Sequence, residues 1–143
     1  MKVLIDTNVA LDILLKRQYY SNALTVFKLA EEKIISGYIS ASAITDIFFL
    51  SKNDLGKKPA KEALKRILSV FKPAAVTDSH IYQALDLDWS DFEDSIQFVV
   101  GESLLADYII TRNVQDFSAS PIPAVTPEHF LQSITEDDKE HIK

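Results

Sequence analysis

The amino-acid sequence predicts an α/β domain in which a short parallel sheet is covered by helices, and three observations carry that prediction. Val3-Leu4-Ile5 is an unbroken apolar run with no alternation, the pattern of a strand buried on both faces of a parallel sheet. Similar short runs, Tyr38-Ile39, Ala74-Ala75-Val76 and Tyr108-Ile109-Ile110, recur between longer segments of helical periodicity. Of 143 residues 47% are hydrophobic while only 3 are Gly and 5 Pro, which excludes a disordered chain and favours regular, mostly helical structure. A domain of this length buries roughly 68–70% of its unfolded surface, so no disulfide or metal staple is required. Residues 1–134 are expected to form it, and 135–143 a charged, frayed tail.

Asp6 ends the first strand. The carboxyl ends of strands in open α/β sheets face the ligand crevice, so a carboxylate there, followed by Thr7 and Asn8, is placed for chemistry. The same residues could instead cap the helix expected over Val9 to Leu15, and both readings stand at this point. Ser21 to Lys33 carries Ala23, Leu24, Phe27 and Ala30 at helical spacing; Ser36-Gly37 then turns into a second strand ending near Ser40. The next helix, from Ser42 to Leu50, is apolar all round except for Thr45 and Asp46, which predicts that it is largely buried. Asp46 is then an anomaly, because a buried carboxylate costs on the order of several kcal/mol unless a cation, donors or a cavity compensates it.

Asn53-Asp54-Leu55-Gly56 closes that helix, and Pro59 opens another with Ala63, Leu64, Ile67, Leu68 and Phe71 inward and Lys57, Lys61 and Lys65 outward. Pro73 stops it, Ala74 to Val76 reads as the third strand, and Thr77 or Asp78 caps a helix from Ser79 to about Leu87. His80 has no second ligand at metal spacing and is assigned no role. Ser90 and Glu93 have capping-box spacing, which makes Glu93 structural. In the helix that follows, Phe92, Ile96, Val99, Val100 and Ser103 form one inward stripe, and Phe98, Gly101 and Leu105 extend another from Asp94. An acid in a first turn gains ~0.3–1 kcal/mol from the helix dipole, a sufficient reason for Asp91 or Asp94 by itself. Asp107 to Thr111 is the fourth strand, Asn113 to Phe117 a loop or single turn at the same sheet edge as Asp6, Ile122 to Val125 a last strand, and Thr126-Pro127-Glu128 starts a helix to about Ser133.

The formal net charge is -6, against the basic excess usual in nucleic-acid binders. Its distribution is uneven. Lys52, Lys57, Lys58, Lys61, Lys65, Arg66 and Lys72 face only Asp54 and Glu62 in their segment, whereas Asp78 to Asp94 holds six acids and no Lys or Arg. Either run could be an ordinary solvated face. Cys is absent, which excludes a disulfide framework and thiolate zinc and suits a reducing cytoplasm. The sequence starts with no cleavable apolar segment and has no run near the ~20 apolar residues of a membrane span, so a soluble protein without membrane contact is expected. No internal repeat, Gly-rich phosphate loop, nucleophile elbow or H-E-x-x-H pattern occurs.

Four pieces in fixed order span nearly the whole chain: strand-Asp6-Thr7-Asn8; Ile39-Ser40 followed by a helix with Asp46; Asp91-Phe92-Glu93-Asp94-Ser95; and Ile110-Thr111-Arg112-Asn113-Val114-Gln115-Asp116-Phe117. Together they resemble the PIN domain, many of whose bacterial and archaeal members are VapC-type toxins. The resemblance implies a three-layer fold, a short parallel sheet flanked by helices on both faces, with an acidic pocket that binds Mg²⁺ or Mn²⁺ and hydrolyses RNA. It implies a homodimer and, for a toxin, a neutralising antitoxin. By position Asp6, Asp46 and Asp94 match the first three family acids, with Asp6 and Asp94 as metal ligands. The second is more often Glu, so Asp46 would reach the metal through water. The fourth position, often Asp, is Asn113 here, as in members with the same Thr-Arg-Asn sequence; either Asn113 fills it or Asp116, three residues later, supplies the charge. Thr7, Asn8, Asp91, Thr111 and Asn113 would support the site, and Arg112 would hold a phosphate.

The chemistry agrees with the resemblance. Hard divalent cations choose oxygen ligands, and Mg²⁺ keeps several waters while using one or two carboxylates directly. No His, Ser or Cys nucleophile is needed, and without metal the clustered acids repel, so some of their pKa values rise. Anionic RNA would then be held by Lys52, Lys57, Lys58 and Lys61, or by the partner protomer. Two other classes compete. Asp6-Thr7-Asn8-Val9-Ala10 is similar to the haloacid dehalogenase start D-x-D-x-T, but departs from it at Asn8 and Ala10. A catalytically silent PIN-fold module for protein binding is the stronger alternative, since fold alone never implies activity.

Overall fold

The computed structural model describes residues 1–134. Five strands, β1 (Lys2–Ile5), β2 (Ser36–Ser40), β3 (Lys72–Ala74), β4 (Tyr108–Ile110) and β5 (Ala124–Val125), form one sheet in the order β3-β2-β1-β4-β5. Every pairing is parallel, so each connection crosses over. The crossovers are α1 (Thr7–Leu15) and α2 (Tyr20–Glu31), then α3 (Ala41–Leu55) and α4 (Lys57–Leu68), then α5 (Asp78–Leu85) and α6 (Phe92–Leu104). A 3₁₀ turn at Val114–Phe117 joins β4 to β5, and α7 (Pro127–Ser133) follows.

Alternation along the strands builds the three expected layers. Val3, Ile5, Ile39 and Ile110 pack in one core with α1, α2, α3, α4 and α7. Leu4, Tyr38 and Ile109 belong to the opposite side, with α5, α6 and the 3₁₀ turn. Phe71 is fully buried and meets Phe27 edge to face, centroids 5.6 Å apart. Its ring lies so close to β2 that a Cβ at Gly37 would collide with it, which accounts for a glycine inside that strand.

The topology also fixes where a site can be. From β1 the chain moves outward through β2 to β3, then returns to add β4 on the other side of β1. The sheet order therefore reverses between β1 and β4, where the Asp6 amide donates to the Ile110 carbonyl at 2.9 Å.

Four expectations are corrected. α3 is not largely buried: Ala43, Ile47 and Ser51 form a narrow inward stripe at four-residue spacing, while Asp46 is exposed and Phe49 and Leu50 are 61% and 45% exposed. Apolar composition marks a helix that can be buried, and here its outer residues have no covering layer among the described residues. The third strand begins at Lys72 and includes Pro73, tolerated because β3 is an edge strand. α6 is capped by Asp91, whose side chain accepts from the Asp94 amide at 3.0 Å, not by Ser90. Phe92, Ser103 and Leu105, placed in inward stripes, are exposed, and Leu105 ends α6 in the left-handed region with φ 58. The expected tail, 135–143, lies outside the described residues. Among those described, no helix is long and apolar enough to cross a membrane.

Candidate active site

Asp6 is both cap and site residue. It stands at the N-cap of α1 with extended backbone, and its Oδ1 accepts from the Thr7 amide at 2.8 Å. Two side chains from other elements close on the same carboxylate: Gln97 Nε2 of α6 donates to Oδ1 at 2.9 Å, and Thr111 Oγ1, just beyond β4, donates to Oδ2 at 2.8 Å. Asp6 is 5% exposed, and none of these three donors carries a charge. Neutral donors fix a carboxylate's orientation without neutralising it. Thr111 in turn accepts from the Asn113 amide at 3.0 Å, so the same hydroxyl shapes the loop leaving β4.

The wall opposite is the first turn of α6. Asp91, Glu93 and Asp94 gather there, and Thr7 Oγ1 reaches across from α1 to donate to Glu93 Oε1 at 3.3 Å. Glu93 is therefore turned into the pocket, not back onto a capping box. α3 contributes Asp46, and the 3₁₀ turn Asp116. The result is a cleft of about 490 Å³ lined by Asp6, Asp46, Asp91, Glu93, Asp94 and Asp116, with Thr7, Asn8, Gln97 and Asn113 between them and no Lys or Arg.

Burial and crowding raise two of these acids, Asp94 and Glu93. Asp94 is raised from 3.8 to about 7, first by desolvation and then by Asp91, Asp6, Asp116 and Glu93. Glu93 is raised by desolvation and then by Asp46, with Asp6 and Asp91 adding to it and the Thr7 hydrogen bond opposing. Among the described residues, no three of the carboxylates already form a closed metal cage. The donor set nonetheless suits a hard cation that uses one or two carboxylates directly and the others through water, because every candidate ligand is oxygen. Gln97 Oε1 is a second indication: it is buried without a hydrogen-bond partner on a side chain that lines the cleft.

Asp6, Thr7, Asn8, Asp46, Asp91, Asp94, Asn113 and Asp116 thus share one pocket, with Thr111 behind Asp6. Arg112 does not line it. Its Nε lies 3.0 Å from Oδ2 of Asp12, a fully buried carboxylate of α1, and its guanidinium sits 5.0 Å from the Tyr19 ring centroid. The contact with Asp12 is ionic, off the line of a hydrogen bond. Lys52, Lys57, Lys58 and Lys61 are exposed on α3 and α4 and do not line the cleft, though Lys52 stands 5.7 Å over the ring of Phe49, which does. Sequence reasoning missed Glu93, Gln97 and Asp12. Gln97 carried a usable signal, an amide inside the apolar run Ile96 to Val100, one turn beyond Asp94.

Fold and pocket together define an α/β protein with an oxygen-donor acidic centre at the switch point of a parallel sheet. The chain belongs to the PIN domain family, whose model matches residues 2–115. No curated protein matches it. Among solved structures, the fold is similar to that of VapBC2 from Rickettsia felis bound to a DNA fragment from its promoter (TM-score 0.65, 16% identity, 87% of this chain and 97% of the other). It is similar also to VapC20 of Mycobacterium tuberculosis, a toxin that cleaves the sarcin-ricin loop (0.65, 17%, 82% and 94%). A toxin-antitoxin complex from Klebsiella pneumoniae gives a TM-score of 0.67 at 22% identity over 87% of this chain and 97% of that one.

Proposed function

We propose that this protein is a Mg²⁺- or Mn²⁺-dependent ribonuclease of the VapC type, the toxin of a toxin-antitoxin pair. The observation that carries the reading is the cleft at the β1/β4 switch point, lined by six carboxylates and no Lys or Arg. Such a concentration of negative charge cannot bind a phosphodiester unaided and is stable around a divalent cation.

Asp6 and Asp94 would hold the ion, with Asp46 and Asp116 acting through its waters. A bound divalent cation supplies charge that offsets the phosphoryl oxygens and makes an attacking water available near neutral pH. The residues supply position. Gln97, Thr111 and the Thr7 amide hold Asp6 in one orientation, so its charge needs no reorganisation when substrate arrives. Asn8 and Asn113, neutral and on the pocket wall, can bond phosphate or water without adding repulsion. Lys52, Lys57, Lys58 and Lys61 would steer the RNA backbone toward the cleft. An antitoxin partner is supported by the likeness to structures described as VapBC and toxin-antitoxin complexes, and a homodimer by exposed Phe49, Leu50 and Leu55 along α3.

The test is cleavage of RNA by the purified protein with Mg²⁺ or Mn²⁺, beside Asp6→Asn. Metal-dependent cleavage lost in the variant supports the proposal. Cleavage that persists in Asp6→Asn, or a wild type that neither binds Mn²⁺ nor cuts RNA, defeats it and favours the silent protein-binding module.

A further inference from the structure

A second cavity lies beside the acidic cleft, on the far side of the loop that leaves β4. It measures about 340 Å³ and is lined by Tyr19, Asn22, Arg112, Asn113 and Glu128, with Thr126 and Pro127 beneath. Asn113 lines both, so the two hollows are neighbours on either side of one residue. The size falls within the ~300–1,000 Å³ of small-ligand pockets.

We propose that this cavity takes one unstacked base of the RNA whose phosphodiester lies in the acidic cleft. The proposal rests on the nuclease reading and adds a base-selective subsite to it. Tyr19 is the shelf. It stands at the N-cap of α2 with 47% of its surface exposed, and the Arg112 guanidinium lies over its ring, 5.0 Å from the centroid. Arg112 is itself held by Asp12 at 3.0 Å, so the ring is supported by a charge already answered inside the protein. That arrangement leaves little attraction for a free phosphate, and exposed Glu128 opposes one further. A neutral, flat, hydrogen-bonding group fits better. Aromatic and guanidinium planes are the usual platforms for single-stranded bases.

The rim can read such a base. Asn22 follows Tyr19 by three residues and lies on the same side of the first turn of α2. Its amide and that of Asn113 each offer donors and an acceptor, while the Glu128 carboxylate accepts from exocyclic amino groups and rejects carbonyl edges. A base that presents an amino group is therefore preferred.

The experiment is equilibrium binding of eight-nucleotide single-stranded RNAs of mixed sequence to the full protein in Ca²⁺, the RNA checked intact afterwards. One abasic position is scanned along each RNA. In wild type one abasic position should weaken binding by about 5- to 150-fold, the range expected from one base–aromatic stack. Tyr19→Ala should bind intact RNA as weakly as wild type binds that abasic RNA and lose sensitivity to the abasic site. Tyr19→Phe should retain it. Glu128→Gln, whose amide both donates and accepts, should lose the preference for amino-bearing bases by gaining affinity for carbonyl-bearing ones. A flat abasic scan with RNA still bound overturns the subsite and leaves the nuclease reading standing; no RNA binding at all overturns both. Unchanged affinity and base preference in Tyr19→Ala also overturns it.

Discussion

Two carboxylates sit at the start and in the middle of α1, and the fold treats them in opposite ways. Asp6 is 5% exposed and Asp12 0%, so burial does not distinguish them. Their partners do. Asp6 is met by an amide, an amide side chain and a hydroxyl, which fix it and leave its charge for a ligand. Asp12 is met by Arg112, which uses its charge inside the protein. A buried acid is therefore a candidate for chemistry when its partners are neutral donors and other acids surround it, and a structural element when a cation closes on it.

The largest effect expected from this contrast is on catalysis. Asp6→Asn keeps the shape of the side chain, and the Thr111 hydroxyl can turn to accept from the new amide, so the fold should survive. With Asp6 as the ligand proposed above, its loss should lower cleavage by about a thousandfold or more, equivalent to roughly 4 kcal/mol. Single-turnover rates on one RNA decide it; a loss under tenfold would place Asp6 on the structural side with Asp12.

Next is the ion pair. Removing Arg112 leaves Asp12 buried without its counter-charge, and Arg112→Ala should cost about 3 kcal/mol, near the lower bound for a broken buried pair because Arg112 is 29% exposed. Removing the acid is milder, since Arg112 can turn to water. Asp12→Asn should therefore cost less than half as much in urea unfolding. Equal losses would mean that the pair acts as a simple attraction and that burial of the acid is not the issue.

These contrasts also show what the sequence could and could not reveal. Asp6, Asp46 and Asp94 were recoverable because each stands where an apolar run stops or is interrupted, and those places converge on one sheet edge. Asp46 was found through a wrong premise, since α3 is half open and the acid is exposed. The better example of a carboxylate inside an apolar stripe was Asp12, between Leu11 and Ile13. Ser90 to Glu93 matched a capping box equally well one residue out of register, and only the Asp91 bond to the Asp94 amide settles which residue caps. The role of Gln97 depends on a partner 91 residues away, which no local pattern encodes.

Metal linkage comes third. At a hundredfold excess of Mn²⁺ over its Kd, wild type should gain ~2.7 kcal/mol of stability. Asp6→Asn should lose that gain, whereas Asp12→Asn should keep it, because only the first acid faces the cleft. Thermal or urea unfolding with and without Mn²⁺ gives the comparison directly. A gain that survives Asp6→Asn and vanishes in Asp12→Asn would reverse the assignment of the two acids.

The smallest effect is the pH dependence of the metal-free protein, and its sign follows from Asp94. Its ordinary value of 3.8 is raised to about 7 in the folded state, first by desolvation and then by neighbouring acids. Between those two values the folded protein keeps a proton that the unfolded chain has released, so stability falls as pH rises from about 4 to about 7 and levels off above. Glu93, raised in the same direction by desolvation and Asp46, steepens the fall, and Asp12, raised by desolvation against Arg112 and Arg17, adds to it outside the cleft. In EDTA, the urea midpoint of wild type should be lower at pH 8 than at pH 5. Asp94→Asn removes the largest acid charge conflict in the cleft and should flatten that difference, melting above wild type at pH 8 while cutting no RNA. A lost helix cap would instead lower stability at both pH values by ~1 kcal/mol. Mn²⁺ held at Asp94 would compete with the proton there, so its stabilising effect should grow from pH 5 to pH 8 in wild type. If Asp94→Asn leaves the slope between pH 5 and pH 8 unchanged in EDTA, the conflict lies with Glu93 or with Asp12, and the cleft is less strained than its six carboxylates imply.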